Sequence, residues 1–169
     1  MTDFYWIESP WPGKLAIFAR PRGGDRLDDE IRTWNNAGLS AIVSLLTEDE
    51  ADELDLVDER QSCESLGLRF FRFPINDVSI PASSEATLDL VNELESLLSK
   101  GHAVGIHCRE GVGRSGIIAA CLLIKSGLVP EEAMETVSNA RGVIVPQTDE
   151  QREWVIAFAR QFAPAARGV

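Results

Sequence analysis

An α/β domain with a central, mostly parallel sheet flanked by helices is the fold class that the sequence predicts. Three observations predict it. Short apolar runs rich in β-formers, Ser40–Leu46 and His102–Cys108, have the length and composition of buried strands. They alternate with stretches of helical periodicity, and from Gly113 onward the periodicity is helical alone. A glycine-rich turn follows the second run and opens a helix, which is where parallel sheets bind ligands. At 169 residues, 44% hydrophobic and 25% charged, the chain has the size and balance of one globular unit. No long linker, repeat or low-complexity tract divides it, so residues 1–169 are expected to form a single domain.

Each element has its own warrant. Two short strands are expected at Phe4–Ile7 and Leu15–Ala19, joined by the turn "SPWPGK" with its two prolines and glycine. The loop "RPRGGD" leads into a helix over Asp25–Ala37 that stops near Gly38. Ser40–Leu46 is the next strand. Thr47 and Glu50 then form a capping-box pattern at the head of an acidic helix. A further helix is expected from about Asp55 to Leu66, ended by Gly67. The aromatics of "LRFFRFPI" favour a strand, and "NDVSIPAS" is a loop. Ser84–Lys100 repeats leucine and valine at helical spacing and ends at Gly101. After the strand His102–Cys108, helices are expected at Gly113–Ser126, Pro130–Arg141 and Thr148–Phe162, with Pro130 suited to a first helical turn.

Composition excludes several function classes. A formal charge of −11 disfavours a nonspecific binder of nucleic acid or of anionic membranes, since both need a cationic footprint. No apolar run approaches a membrane span, and "MTDFYWIESP" carries an acid where a secretion signal needs bases, leaving the cytoplasm as the default location. Three cysteines, Cys63, Cys108 and Cys121, are too few and scattered for a disulfide framework. Two histidines, His102 and His107, show no zinc spacing, so no metal and no cofactor are expected.

The stretch "HCREGVGRSG", His107–Gly116, carries the chemistry. Gly111-Val112-Gly113-Arg114-Ser115-Gly116 matches the glycine fingerprint of a dinucleotide-binding turn. That reading lacks its second half. The acids about twenty residues further on lie inside a predicted helix, and "CLLIKSGLV" is too short to finish one helix and supply a strand. The alternative makes Cys108 a nucleophile at the mouth of an anion cradle. None of Arg109 through Arg114 is proline, so every amide in that stretch can donate. Gly111 and Gly113 permit positive φ, which lets successive amides turn inward as a nest. Arg114 adds a planar fork for two phosphate oxygens, and the following helix adds its positive end. Such surroundings favour thiolate over thiol, and Ser115 is placed to donate a hydrogen bond to it.

The whole string resembles the His-Cys-x5-Arg-Ser/Thr-Gly signature of the cysteine-based protein tyrosine phosphatases. The opening "WPGKLAIFARP" is similar to the N-terminal hairpin of their small atypical dual-specificity members. The resemblance implies a phosphatase-like single domain and a cysteinyl-phosphate intermediate formed at Cys108, with Arg114 and Ser115 in support. It implies Arg109, Glu110, Gly111, Val112, Gly113 and Arg114 as the substrate-binding loop. It also implies an aspartate on a separate loop. "FPINDVSIP" supplies Asp77 between two prolines, as acid in the first step and base in the second, while Asn76 has no assigned role. "PQTDEQ" resembles the glutamine-bearing loop of the larger tyrosine phosphatase domains, where Gln147 and Gln151 would position water. Gln151 has a competing explanation, since Thr148-x-x-Gln151 is itself a capping box.

The substrate is expected to be a phosphorylated protein or peptide, with phosphoinositide, nucleotide or RNA 5′-phosphate as alternatives, and a phosphate-reading module without turnover as the rival from another class. The remaining candidates have plain readings. His107 is a structural histidine behind the loop and His102 is solvated. Cys121 is core, and Cys63 is a helix residue before it is a redox partner of Cys108. Arg109 and Glu110 point outward from the nest, Arg22 and Arg141 are as well explained by solvation as by the pocket, and "EDEADELD" is a solvated helix face.

Overall fold

The computed structural model describes residues 2–165; residues 1 and 166–169 of the expected 1–169 domain lie outside the described residues. Five strands form one sheet in the order β1-β2-β5-β3-β4. β1 (Tyr5–Ile7) runs antiparallel to β2 (Leu15–Ala19), as a hairpin turn requires. All other pairs are parallel: β2 with β5 (Val104–Cys108), β5 with β3 (Ala41–Ser44), and β3 with β4 (Arg69–Arg72). The fold class is the one expected.

Register decides where the chemistry gathers. Ala19 pairs with Cys108 and Ser44 with His107, so β2, β3 and β5 finish level. The segments that follow them, and the one that follows β4, therefore meet at a single sheet edge. β5 is central and buried along its length. Its residues alternate between two cores. Val104, Ile106 and Cys108 face a cluster built on the helices α4 (Ser84–Ser99), α5 (Gly113–Lys125), α6 (Pro130–Arg141) and α7 (Asp149–Phe162). The opposite face packs on α1 (Leu27–Asn36) and α3 (Glu59–Ser65), where Gly105 leaves room for Phe18: an added Cβ would lie 2.5 Å from its ring. α5 is buried on every side, from Gly113 to Ile124, which explains why its sequence lacks a polar face.

Two expected helices are shorter than their periodicity implied. Asp25–Ala37 divides into a 3-10 turn, Gly24–Arg26, and α1. Asp55–Leu66 begins only at Glu59, because Asp55 sits at φ 58° to close the preceding helix α2 (Glu48–Glu53), a conformation that no helix interior accepts. The strand expected over Ser40–Leu46 pairs as β3 only at its centre, and "LRFFRFPI" contributes only Arg69–Arg72. The capping boxes at Thr47–Glu50 and Thr148–Gln151 both form. Among the described residues, no helix is long and apolar enough to cross a membrane.

Candidate active site

Cys108 ends β5 with its side chain on the α5 side, 3% exposed. The chain turns at Gly111, at φ 73°, and the Gly111 N–H donates to Cys108 Sγ over 3.2 Å. Any side chain at Gly111 would also strike the Phe18 backbone, whose carbonyl carbon lies 2.5 Å from an ideal Cβ. Two details differ from expectation. Gly113 is not a positive-φ residue but the first residue of α5. Space is its reason, since an added Cβ would sit 3.0 Å from the Gln151 amide and 3.2 Å from Gln147 Oε1. No hydrogen bond from Ser115 to the sulfur forms; its hydroxyl is buried with no hydrogen-bond partner among the described residues.

Arg114 is 2% exposed and heavily bonded. Nη1 donates to Glu50 Oε2 at 2.7 Å and to the Ile75 carbonyl at 2.8 Å. Nη2 donates to Glu50 Oε1 at 2.9 Å and to Asp77 Oδ1 at 2.9 Å. One face of the guanidinium fork, expected to be free for phosphate, is thus clamped bidentately by Glu50. Glu50 belongs to the run expected to be a solvated helix face, yet it is only 7% exposed. Its carboxylate also accepts from the Thr47 amide at 2.9 Å, which closes the capping box. Burial would raise its pKa, but hydrogen bonds from Arg114 and Thr47, the Arg114 charge and a bond from Arg109 outweigh that and hold it at about 2. The Thr47–Glu50 box was the one local sign that this carboxylate is pinned; its partner is visible only in three dimensions.

Arg109 also departs from expectation. Instead of pointing outward it reaches α2, with Nε 3.3 Å from Glu50 Oε1 and Nη2 3.3 Å from Glu53 Oε2. Glu110 is exposed, as expected. Asp77 stands on the loop after β4, about half exposed, with Oδ1 shared between Arg114 and the Val78 amide. Val78 follows at φ 55°, with its apolar side chain at the lip of the cleft. Gln151 is fully buried: Oε1 accepts from the Gln147 and Thr148 amides, and Nε2 donates to the Ser79 carbonyl at 2.9 Å. It therefore caps α7 and ties it to the Asp77 loop, while Gln147 is exposed beside the cleft.

One cavity of about 90 Å³ collects Asp77, Val78, Cys108, Arg109, Glu110, Gly113, Arg114, Gln147 and Gln151. Gly111 and Val112 contribute backbone behind it, Val112 as the N-cap of α5. Sites for drug-sized ligands measure roughly 300–1,000 Å³, so this one suits a single small anion rather than a dinucleotide. Among the described residues, no group of three or more His, Cys, Asp or Glu could hold a metal.

The supporting residues fall into place around it. His107 is buried against Phe18 and Trp34, with Nε2 2.5 Å from the buried Glu59 carboxylate and Nδ1 3.4 Å from the Cys108 carbonyl. His102 is exposed. Cys63 lies in the other core layer, where burial and the nearby Glu59 push its thiol pKa up; Cys121 is raised by burial alone. Arg22 pairs with Glu30 at 2.6 Å and does not line the cavity. Arg141 is more than a solvated residue: its Nε donates to the Gly111 carbonyl at 3.2 Å and buttresses the loop from outside.

The family described as "Polymorphic toxin system, DSP-PTPase phosphatase" matches residues 18–128. Human cyclin-dependent kinase inhibitor 3 is 29% identical over 133 residues, covering 76% of this chain, and the chain spans only 61% of that protein's length. The crystal structure of a kinase associated phosphatase with its catalytic-site cysteine replaced by serine superposes with a TM-score of 0.87 at 21% identity, over 95% of each chain, a likeness of fold. Tk-PTP in its active form superposes with a TM-score of 0.73 at 30% identity, over 89% of this chain and 94% of that one.

Proposed function

This chain belongs to the DSP-PTPase phosphatase family, and from that premise we propose that it hydrolyses phosphomonoesters on phosphorylated protein or peptide without a metal, at phosphotyrosine with or without phosphoserine and phosphothreonine. The observation that carries the reading is the single small cavity where the Cys108 sulfur, the Arg114 guanidinium and the Asp77 carboxylate meet. Membership of a phosphatase family and the likeness to Tk-PTP support the reaction class.

The bonding of Arg114 sets the order of events. A guanidinium has five N–H donors. Two are held by Glu50, one by Ile75 and one by Asp77, so Nε–H is the donor outside these bonds. A phosphate that takes Nε and Nη2 together must displace Asp77 from Nη2. Substrate entry thereby frees the Asp77 carboxyl to turn toward the leaving oxygen. Cys108 Sγ then attacks phosphorus; the S–P bond forms as the bond to the leaving oxygen breaks, and Asp77, which takes up a proton from solvent once it has left the guanidinium, passes that proton to the leaving oxygen. The Gly111 amide steadies the sulfur, while the start of α5 and Arg114 neutralise charge on the remaining oxygens. In the second step water attacks phosphorus, Asp77 takes its proton, Gln147 orients it, and inorganic phosphate leaves with Cys108 regenerated as thiolate.

The loop carries only Arg109 and Arg114 as bases, and Arg109 is committed to Glu50 and Glu53, which favours a phosphopeptide over a polyphosphorylated headgroup. Turnover of an aryl phosphate in the presence of EDTA is the test. Activity that disappears in Cys108→Ser supports the reading. Activity that persists in that variant, or oxyanion binding with no turnover in the unsubstituted chain, overturns it in favour of another nucleophile or of a phosphate-reading module.

A further inference from the structure

Between the end of β5 and the first residue of α5 stand the carbonyls of Arg109, Glu110, Gly111 and Val112. The donors that hold them differ in kind. Main chain holds the first and the last. The Arg20 amide, continuing β2, donates to the Arg109 carbonyl at 3.3 Å, and the Gly116 amide donates to the Val112 carbonyl at 3.2 Å as α5 begins. The middle two depend on one side chain. Arg141 Nε donates to the Gly111 carbonyl at 3.2 Å and Nη2 to the Glu110 carbonyl at 3.4 Å, and no other donor reaches either one among the described residues.

A trans peptide points its C=O and the next residue's N–H in opposite directions. A donor behind the carbonyl therefore fixes where the amide in front is aimed. The Glu110 carbonyl shares its peptide with the Gly111 N–H, which donates to Cys108 Sγ at 3.2 Å. The Gly111 carbonyl shares its peptide with the Val112 N–H, which likewise points away from Arg141 and so to the side of the sulfur. Successive amides facing one way make an anion nest, and Gly111, at φ 73°, is its left-handed residue. Glycine accepts φ of either sign, so the rotation of these two units is decided by what holds their carbonyls.

Arg141 is itself braced. It is the last residue of α6, half-buried, and its Cζ lies 4.0 Å from the centroid of the Tyr5 ring. Tyr5 pairs with Ile17 of β2, so the ring is carried by the sheet. A planar guanidinium can lie on an aromatic face and still direct two N–H groups along its own plane, which an ammonium cannot. Arg141 does not line the catalytic cavity, so whatever it does there it does through the loop. We infer that Arg141, braced by Tyr5, is a positioning residue for the reaction: it holds the Glu110 and Gly111 carbonyls outward and thereby keeps the Gly111 N–H on the nucleophile and the Val112 N–H turned to the phosphoryl oxygens. The inference rests on the phosphatase reading above and adds to it a residue that never touches substrate.

Turnover of an aryl phosphate and calorimetric binding of inorganic vanadate are measured on the full chain, with urea unfolding to show that each variant is folded in the assay. Arg141→Ala should lower kcat/KM by roughly 10–100-fold and vanadate affinity by at least about tenfold, because misaimed amides serve the five-coordinate phosphorus poorly. Arg141→Lys keeps the charge at the end of α6 but not the fork, and should stay at least about fivefold down in both. Tyr5→Leu should lose about two- to fivefold, Tyr5→Phe should restore the rate with the ring, and Tyr5→Leu added to Arg141→Ala should change nothing further. Where Arg141→Ala fails to fold, Arg141→Lys and Tyr5→Leu decide. Vanadate affinity within twofold of the unsubstituted chain in folded Arg141→Ala, or full activity in Arg141→Lys, overturns the inference. So does a loss confined to phosphopeptides, which would mean that Arg141 meets the substrate itself. A chain that binds vanadate in an Arg141-dependent way yet never hydrolyses an aryl phosphate sinks the phosphatase reading and leaves the positioning role standing.

Discussion

Replacing Glu50 by glutamine should loosen Arg114 without disturbing the helix that carries it. Glutamine at this position still closes a capping box with Thr47, so the change isolates the contact with the guanidinium. The native carboxylate is held at about 2 against an ordinary 4.5, and that difference is worth about 3 kcal/mol. Because the folded value lies below the unfolded one, the contribution is complete above about pH 4.5 and drains away as pH falls toward 2. At pH 7 the variant should be less stable by about 3 kcal/mol, or roughly 6–12 °C in Tm for a chain of this size. Urea unfolding at pH 7 and pH 3 reads both quantities, and the gap between the two proteins should narrow at the lower pH. Turnover of an aryl phosphate should fall by at least about tenfold, since the guanidinium that we propose meets the phosphate is no longer fixed. A gap below about 0.5 kcal/mol, or one as large at pH 3 as at pH 7, would refute the claim that an ionised Glu50 anchors Arg114.

Asp77→Ala should act in two opposite directions: slower turnover of alkyl phosphates than of activated aryl phosphates, and tighter binding of inorganic phosphate, because the carboxylate no longer competes for Arg114 Nη2. Unchanged phosphate affinity, seen by calorimetry, would argue against the displacement step. Gln147→Ala should slow the second step, so stopped-flow traces should show a burst approaching one product per enzyme followed by a reduced steady rate; a slower burst instead would place Gln147 in the first step. Gly116→Ala would bring a Cβ to 2.0 Å from Val145 Cγ1 and should cost about 1–3 kcal/mol in denaturant unfolding; a neutral result would mean that the Val145 segment moves freely.

The fold was largely legible because its signals are local. Apolar runs marked β3 and β5, the leucine spacing marked α4, and Pro130 marked the start of α6, whose bounds match the expected ones. Boundaries failed where a backbone conformation overrode periodicity, as at Asp55, whose side chain tolerates φ 58° but does not dictate it. The loop around Cys108 was legible because nucleophile, glycines, arginine and helix start are contiguous in the chain. The hydrogen bond expected from Ser115 did not form, because chain adjacency to the loop does not by itself supply a hydroxyl with an acceptor.

By itself, then, the sequence determined the α/β class and the thiol–guanidinium loop, since both depend on neighbours along the chain. Only the tertiary structure decided which groups hold Arg114, why Gly113 must lack a side chain, and that Arg141 reaches the Gly111 carbonyl. The physical reason is distance along the chain: Glu50 lies 64 positions from Arg114, and Arg141 lies 30 from Gly111. Such pairings are set by the parallel register of β2, β3 and β5, which brings separate loops to one edge, and no local pattern in the intervening residues encodes it.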